Sequence, residues 1–135
     1  DSLTTCSFLR RELARIFDGA SGWAVPMLNA ACGWKLTNEN WEKMMLRGAT
    51  MERCYAIREG YLPERDDFLP DRFFKEIIYD KYGNPKGLDR KAFIKKRKQR
   101  YREYGLKEDG TPSKSLLEAL DLAFMIPELK KKISL

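Results

Sequence analysis

Between Thr37 and Gly60 the apolar side chains recur at three- and four-residue intervals, and no useful length of the chain alternates at a period of two. That pattern restricts the fold to packed helices, because a 3.6-residue repeat gathers side chains on one face of a helix. Thr37 is placed to cap this helix and Gly60 to end it. Trp41, Met44, Met45, Met51, Cys54, Tyr55 and Ile57 fall mostly on one broad face. Gly48 interrupts the run at a cost of about 1 kcal/mol relative to Ala, and marks a close helix contact or a break. Residues 7–17 form a second helical stretch stopped at Asp18-Gly19. Residues 24–31 form a third, with Pro26 in its first turn and Gly33 at its end. Residues 61–70, with Pro63 and Pro70, read as an extended linker. A short helix over 71–79 and a turn at Tyr82-Gly83-Asn84-Pro85 follow. Asp89 then caps a helix that Gly105 closes. Asp109-Gly110-Thr111-Pro112 starts a short helix with Leu116, Leu117, Leu120 and Leu122, and Pro127 opens a last turn before a basic tail. The expected fold is all-α: an irregular helical bundle of two small lobes, 1–62 and 63–135, able to pack as one domain.

Composition removes several classes of function. The 135 residues suit one domain or two small lobes, and 43% apolar with 12% aromatic residues supplies a real core. A net charge of +6 is too mild by itself to name nucleic acid as a partner. Apolar stretches are broken too often to span a membrane, and the first residues lack the basic start and apolar run of a signal peptide. The absence of Met at position 1 suggests a piece of something longer. The absence of histidine excludes His-based triads, HExxH zinc sites and imidazole bases. Cys6, Cys32 and Cys54 are odd in number and widely spaced, which disfavours a disulfide framework and a self-contained zinc site and favours the reducing cytoplasm.

The most chemically distinctive segment is basic. Residues 86–102 hold nine Lys or Arg against one acid, Asp89. Lys91, Lys95, Lys98 and Arg102 form a stripe at helical spacing, while Phe93, Ile94, Tyr101 and Tyr104 supply apolar anchoring. Such a stripe is either a phosphate-binding surface or a solvated helix face, and the second is far commoner. Asp66 and Asp67 form an acidic pair, but their proline-flanked setting points to turn amides and helix capping rather than to acid–base work. Trp23, Trp34 and Trp41 read as packing residues. Cys32 and Cys54 lie on apolar helix faces, where cysteine behaves as a small hydrophobe. Cys6, in a polar loop at the start of the chain, is the one candidate metal ligand.

Several longer motifs fall in order along the chain. They are Asp1-Ser2-Leu3-Thr4-Thr5-Cys6, then Leu28-Asn29-Ala30-Ala31-Cys32-Gly33-Trp34, then Tyr55-Ala56-Ile57-Arg58-Glu59-Gly60 with Arg65-Asp66-Asp67-Phe68-Leu69-Pro70. Tyr101-Arg102-Glu103-Tyr104-Gly105 and Asp109-Gly110-Thr111-Pro112 close the series. Together they resemble the C-terminal helical region of the aldehyde ferredoxin oxidoreductase family, tungsten–pterin enzymes. Thr4-Thr5 stand where the family has Gly-Leu, Ala56 where it has Asn, and Leu106 where it has Trp. These departures are compatible with a divergent branch, including relatives that reduce aromatic acyl-CoA thioesters.

The resemblance implies that Cys6 is the last of four cysteine ligands of a [4Fe–4S] cluster. It also implies that Asp1 hydrogen-bonds the pterin of a tungsten (or molybdenum) bis-pterin cofactor, with the backbone of Leu3, Thr4 and Thr5 lining the same site. Arg58 and Glu59 are structural on this view, and no catalytic residue falls in the chain. The parent enzyme would oxidise aldehydes to carboxylic acids in the cytoplasm with ferredoxin as electron acceptor, and a piece of this size would be inert alone. The alternative from the residues is a stand-alone basic helical module that binds nucleic acid or an acidic protein.

Overall fold

The computed structural model describes residues 7–16, 19–79 and 81–134. The chain is mostly helical and divides into two units, 1–48 and 49–135.

The first unit contains α1 (Ser7–Ile16), α2 (Gly19–Cys32) and the first half of α3 (Asn38–Arg58). Helix α2 begins earlier than its apolar run, so Pro26 lies inside it rather than in its first turn. A proline ring crowds the carbonyl four residues back, and here that residue is Gly22. Trp23, Ala24, Val25 and Trp41 are buried together, with Leu13, Ala14, Leu28 and Leu36 packed against them. Trp34, by contrast, is half exposed in the loop after α2, and Cys32 faces solvent at the helix end.

Helix α3 starts on a reciprocal cap. The Asn40 amide donates to Thr37 Oγ1 at 3.1 Å, and the Thr37 amide to Asn40 Oδ1 at 3.3 Å. It ends at Gly60, whose φ of +99° lets the Tyr61 amide reach back to the Ala56 carbonyl at 2.9 Å and its own amide to Ile57 at 3.0 Å. Trp41, Thr50, Cys54 and Ile57 are its buried positions, whereas Met44, Met45 and Tyr55 are partly exposed.

The second unit continues with α4 (Pro63–Asp66), α5 (Arg72–Lys75) and a two-stranded antiparallel pair, β1 (Ile78–Tyr79) with β2 (Pro85–Lys86). Two features here depart from the sequence expectation. Within 61–70, the segment expected to be extended, Pro63 opens a helical turn, a position where its missing N–H costs nothing. The helix expected over 71–79 stops after Lys75, and Ile78-Tyr79, a β-branched and an aromatic residue, pair across the Gly83 turn instead. Helix α6 (Arg90–Glu103) is capped as expected, with the Ala92 amide donating to Asp89 Oδ1 at 2.6 Å. Helix α7 (Lys114–Ala119) is capped by Ser113, and a 3₁₀ turn (Ala123–Met125) leads into α8 (Ile126–Leu129). Ile57, Leu117, Leu122 and Leu129 are fully buried in this unit, as are Cys54 and Pro112. No helix among the described residues is long and apolar enough to cross a membrane.

Candidate functional site

The residues singled out for cofactor contact, Asp1, Leu3, Thr4, Thr5 and Cys6, lie outside the described residues. Among the described residues no group of three or more Cys, Asp or Glu is arranged to hold a metal ion. The strongest chemical constellation in the second unit centres instead on Asp67.

Its two carboxylate oxygens take three side-chain donors. Arg53 Nη1 and the Tyr101 hydroxyl both donate to Oδ2 at 2.8 Å, and the Tyr61 hydroxyl donates to Oδ1. Arg53 arrives from α3, Tyr61 from the turn after it, and Tyr101 from the last turn of α6. The same Arg53 nitrogen reaches the Gly110 carbonyl at 3.2 Å, and the Tyr101 hydroxyl lies 3.3 Å from the Pro63 carbonyl. Arg97, one turn before Tyr101, donates to the backbone carbonyls of Glu64 and Asp67, each at 3.0 Å. The two acids of the pair therefore do different jobs. Asp66 accepts from the Leu62 amide at 2.8 Å and pairs with Arg65 at the surface, as turn chemistry requires. Asp67 turns inward and gathers distant segments.

Electrostatics follow the geometry. Burial pushes the Asp67 carboxyl up, but hydrogen bonds from Tyr61, Arg53 and Tyr101 and the charge of Arg53 outweigh it and hold it below the ordinary value. Burial and the hydrogen bond to Asp67 push the Tyr61 phenol up to about 12, and the same two causes raise Tyr101 further. At neutral pH the cluster is thus a carboxylate receiving neutral hydroxyls and one cation. With its acceptor positions engaged, Asp67 is a poor general base, and the cluster holds segments in place. An open groove of about 250 Å³, lined by Ala49, Glu52, Arg53, Ala56 and Tyr61, lies beside it.

The next layer is aromatic. Phe68, Phe74 and Phe93 meet with ring centroids 5.3–5.5 Å apart. Arg90 covers Phe74 and Phe68, and Arg97 covers Phe68 and Tyr101, so cations on the inward side of α6 are engaged with π faces. Tyr101 is buried as expected, whereas Tyr104 is half exposed. In the first unit, Asn29 clamps the loop after α2. Its side chain donates to the Leu36 carbonyl at 3.0 Å and accepts from the Leu36 amide at 2.8 Å. Cys54 is buried and its thiol is pushed up to about 11 by desolvation, which makes it inert as a ligand or nucleophile at neutral pH.

The residues that organise both units, Asn29, Gly60, Asp67, Tyr101 and Gly110, fall in the motifs of the sequence series, in order. A family model described as aldehyde ferredoxin oxidoreductase, domains 2 and 3, matches residues 1–122. The chain belongs to that family. Among its relatives, the tungsten-containing aldehyde ferredoxin oxidoreductase of Pyrococcus furiosus is 35% identical over 100 residues, covering 72% of this chain. The enzyme of the same name from Thermococcus kodakarensis is 31% identical over 100 residues, again 72% of the chain. That of Pyrococcus horikoshii is 30% identical over 99 residues, 71% of the chain. The matched region spans only 16%, 16% and 15% of those three proteins. Among the described residues, those of the Asp67 cluster and Asn29 hold segments together.

Proposed function

We propose that this chain is one part of a larger tungsten- (or molybdenum-) pterin oxidoreductase that oxidises aldehydes to carboxylic acids and passes the electrons to ferredoxin in a reducing cytoplasm. The observation that supports this reading is the family match over residues 1–122, which includes the segment from Asp1 to Cys6. On this reading Cys6 gives one thiolate to a [4Fe–4S] cluster, and the other three come from elsewhere in the parent protein. Thiolate suits iron–sulfur clusters, and one ligand donated from a distant segment ties this part of the chain to the cofactor-bearing part. A chain without histidine, and without a metal-holding cluster among its described residues, fits such a shared site rather than a metal site of its own. Asp1 holds the pterin through its carboxylate, and the backbone of Leu3, Thr4 and Thr5 lines the same site. When bound, the cofactor supplies the two-electron oxidation, and the protein orients it and excludes competing reactions. Asp67, Tyr61, Tyr101 and Arg53 act at one remove, by holding their helices in register.

The test is the metal content of the intact parent protein purified without oxygen. Tungsten or molybdenum together with about four iron atoms per chain supports the reading. A Cys6→Ser variant should then lose or damage the cluster. A parent protein with neither metal overturns it. The isolated 135-residue chain should be inert towards aldehydes.

A further inference from the structure

The cations of α6 are partly settled within the chain, since Lys98 and Arg102 both pair with Glu108 and Arg90 pairs with Asp71. The apolar segment that precedes this helix is not. Ile77, Ile78, Tyr79 and Tyr82 keep 57–76% of their surface exposed. Four large apolar side chains exposed within six residues mark a contact region rather than ordinary surface scatter. Ile78 and Tyr79 are neighbours in β1, so their side chains stand on opposite faces of the β1–β2 pair. Both faces are therefore exposed, and neither forms part of this chain's core. With strands of only two residues, such a hairpin is marginal in water on its own.

The root of the hairpin, by contrast, is firmly built. Asp71 and Arg90, nineteen residues apart, pair at 2.5 Å, and Lys75 reaches Asp71 at 3.1 Å. The Arg90 guanidinium lies 4.5 Å from the centre of the Phe74 ring, and Phe74 meets Phe93 at 5.5 Å. The segment is thus tied where it leaves α5 and where it joins α6, and it carries its exposed apolar side chains between those ties.

The chemistry of the hairpin selects what covers it. Residues 76–86 hold two acids and two lysines, so no net charge steers a separate partner towards them. An uncharged element that is apolar on both faces needs a cleft to enclose it, a contact of the permanent rather than the transient kind. The matched region is only 16% of the Pyrococcus furiosus relative, so most of a parent of that size lies outside these 135 residues. A cleft on the same polypeptide stands at an effective concentration on the order of millimolar, which favours it over a separate molecule.

We propose that the β1–β2 hairpin is an arm, clasped at its root by Asp71 and Arg90, which inserts Ile78 and Tyr79 into an uncharged apolar cleft elsewhere on the parent chain. Of the oxidoreductase reading, this requires only that the parent chain be longer.

Nitration by tetranitromethane, applied to the intact parent protein, reads the arm directly. Tyr79 and Tyr82 should react more slowly by about tenfold or more in the native protein than in the same protein unfolded in urea. Ile78→Ser and Tyr79→Ser, made singly, should each speed the nitration of Tyr82, because each weakens one covered face. A benzophenone cross-linker placed at position 82 should, on irradiation, give a product of single-chain mass whose linked peptide lies outside these 135 residues. Native nitration of both tyrosines as fast as in the unfolded protein overturns the proposal, and that measurement needs no variant to fold. A cross-linked product of twice the chain mass also overturns it and assigns the arm to a second copy. An effect of one serine variant without the other overturns the insertion, since only one face is then covered. Tungsten, molybdenum and iron in the same preparations test the oxidoreductase reading separately. A parent protein that lacks them and still protects both tyrosines leaves the arm in place.

Discussion

The hydroxyl of Tyr101 donates to Oδ2 of Asp67 at 2.8 Å, joining residues 34 positions apart in the chain. That bond fixes the last turn of α6 against the segment that follows α4, and Arg53 and Tyr61 bring the end of α3 to the same carboxylate. Gly110 joins through its carbonyl. Two distant helices and the Asp67 segment therefore meet at one anion, and the Gly110 loop is tied to them through Arg53. A hydrogen-bonded cluster of this kind is worth most when every member is present, and it loses disproportionately when one is removed.

Asp67→Asn keeps the side-chain shape but removes the charge that Arg53 faces at 2.8 Å, with both side chains about four-fifths buried. It also replaces one acceptor oxygen by a donor. We expect a loss of about 2–3 kcal/mol, measured by urea unfolding, with little change in the far-ultraviolet helix signal. Because the Asp67 carboxyl is held below its ordinary value, its contribution is present above the unfolded pKa of about 4. It disappears as the pH falls through the lower, folded value. The acid limb of the wild-type stability profile should accordingly be steeper than that of the variant.

Tyr61 gives the opposite limb. Its phenol is pushed up to about 12 from an ordinary value of 10.0, so the folded state holds that proton more tightly than the unfolded one. Its contribution is complete below pH 10 and is lost as the pH rises towards 12. Tyr61→Phe should lower stability at neutral pH by about 1 kcal/mol. It should also flatten the alkaline fall between those two values, read by unfolding at a series of pH values.

The helical class was legible because it rests on local periodicity, and so were the ends of the long helix: Thr37 and Gly60 act through partners three to five residues away. Asp89 was readable as a cap for the same reason. The helical turn at Pro63 was obscured because two prolines dominate a local reading, although proline is well suited to a first turn. The hub was hidden more deeply. Asp66 accepts from an amide four residues away, as its setting implied, whereas Asp67 finds its donors 6, 14 and 34 residues away. Nothing in adjacent residues separates two neighbouring aspartates of which one faces out and the other in. The same limit explains Trp34 and Cys32, whose exposure follows from where the chain turns after α2 and not from their own polarity.

Asn29 supplies a second case in which a motif residue proves to be a clamp. It replaces a missing stretch of backbone pairing by bonding both the amide and the carbonyl of Leu36, seven residues on. Asn29→Ala should cost about 1–2 kcal/mol, since two partly buried backbone groups lose their partners together. Asn29→Asp, which retains only the acceptor, should fall between. Hydrogen exchange at the Leu36 amide would separate the two bonds: it should speed up in Asn29→Ala and stay near wild type in Asn29→Asp, whose carboxylate still accepts from that amide.

Gly110 is where the hub has no room to give. Its φ is +80°, and a Cβ built there would stand 2.6 Å from Tyr101 Cζ and 2.7 Å from Pro63 Cβ. Neither neighbour can retreat cheaply, because the Tyr101 hydroxyl is bonded to Asp67 and Pro63 begins a helical turn within the ring of contacts. Gly60 provides the control, since its φ is +99° but a Cβ there meets nothing within 4 Å. Gly60→Ala should therefore cost only the backbone penalty of about 1–2 kcal/mol. Gly110→Ala should pay that and the steric displacement as well, for about 3–4 kcal/mol in all. The difference is the diagnostic quantity. If the two variants unfold at the same urea midpoint, the close packing of Gly110 on Tyr101 is not what holds this end of α6. If Gly110→Ala is the weaker and its alkaline limb shifts towards that of Tyr61→Phe, the glycine is keeping the Asp67 cluster closed.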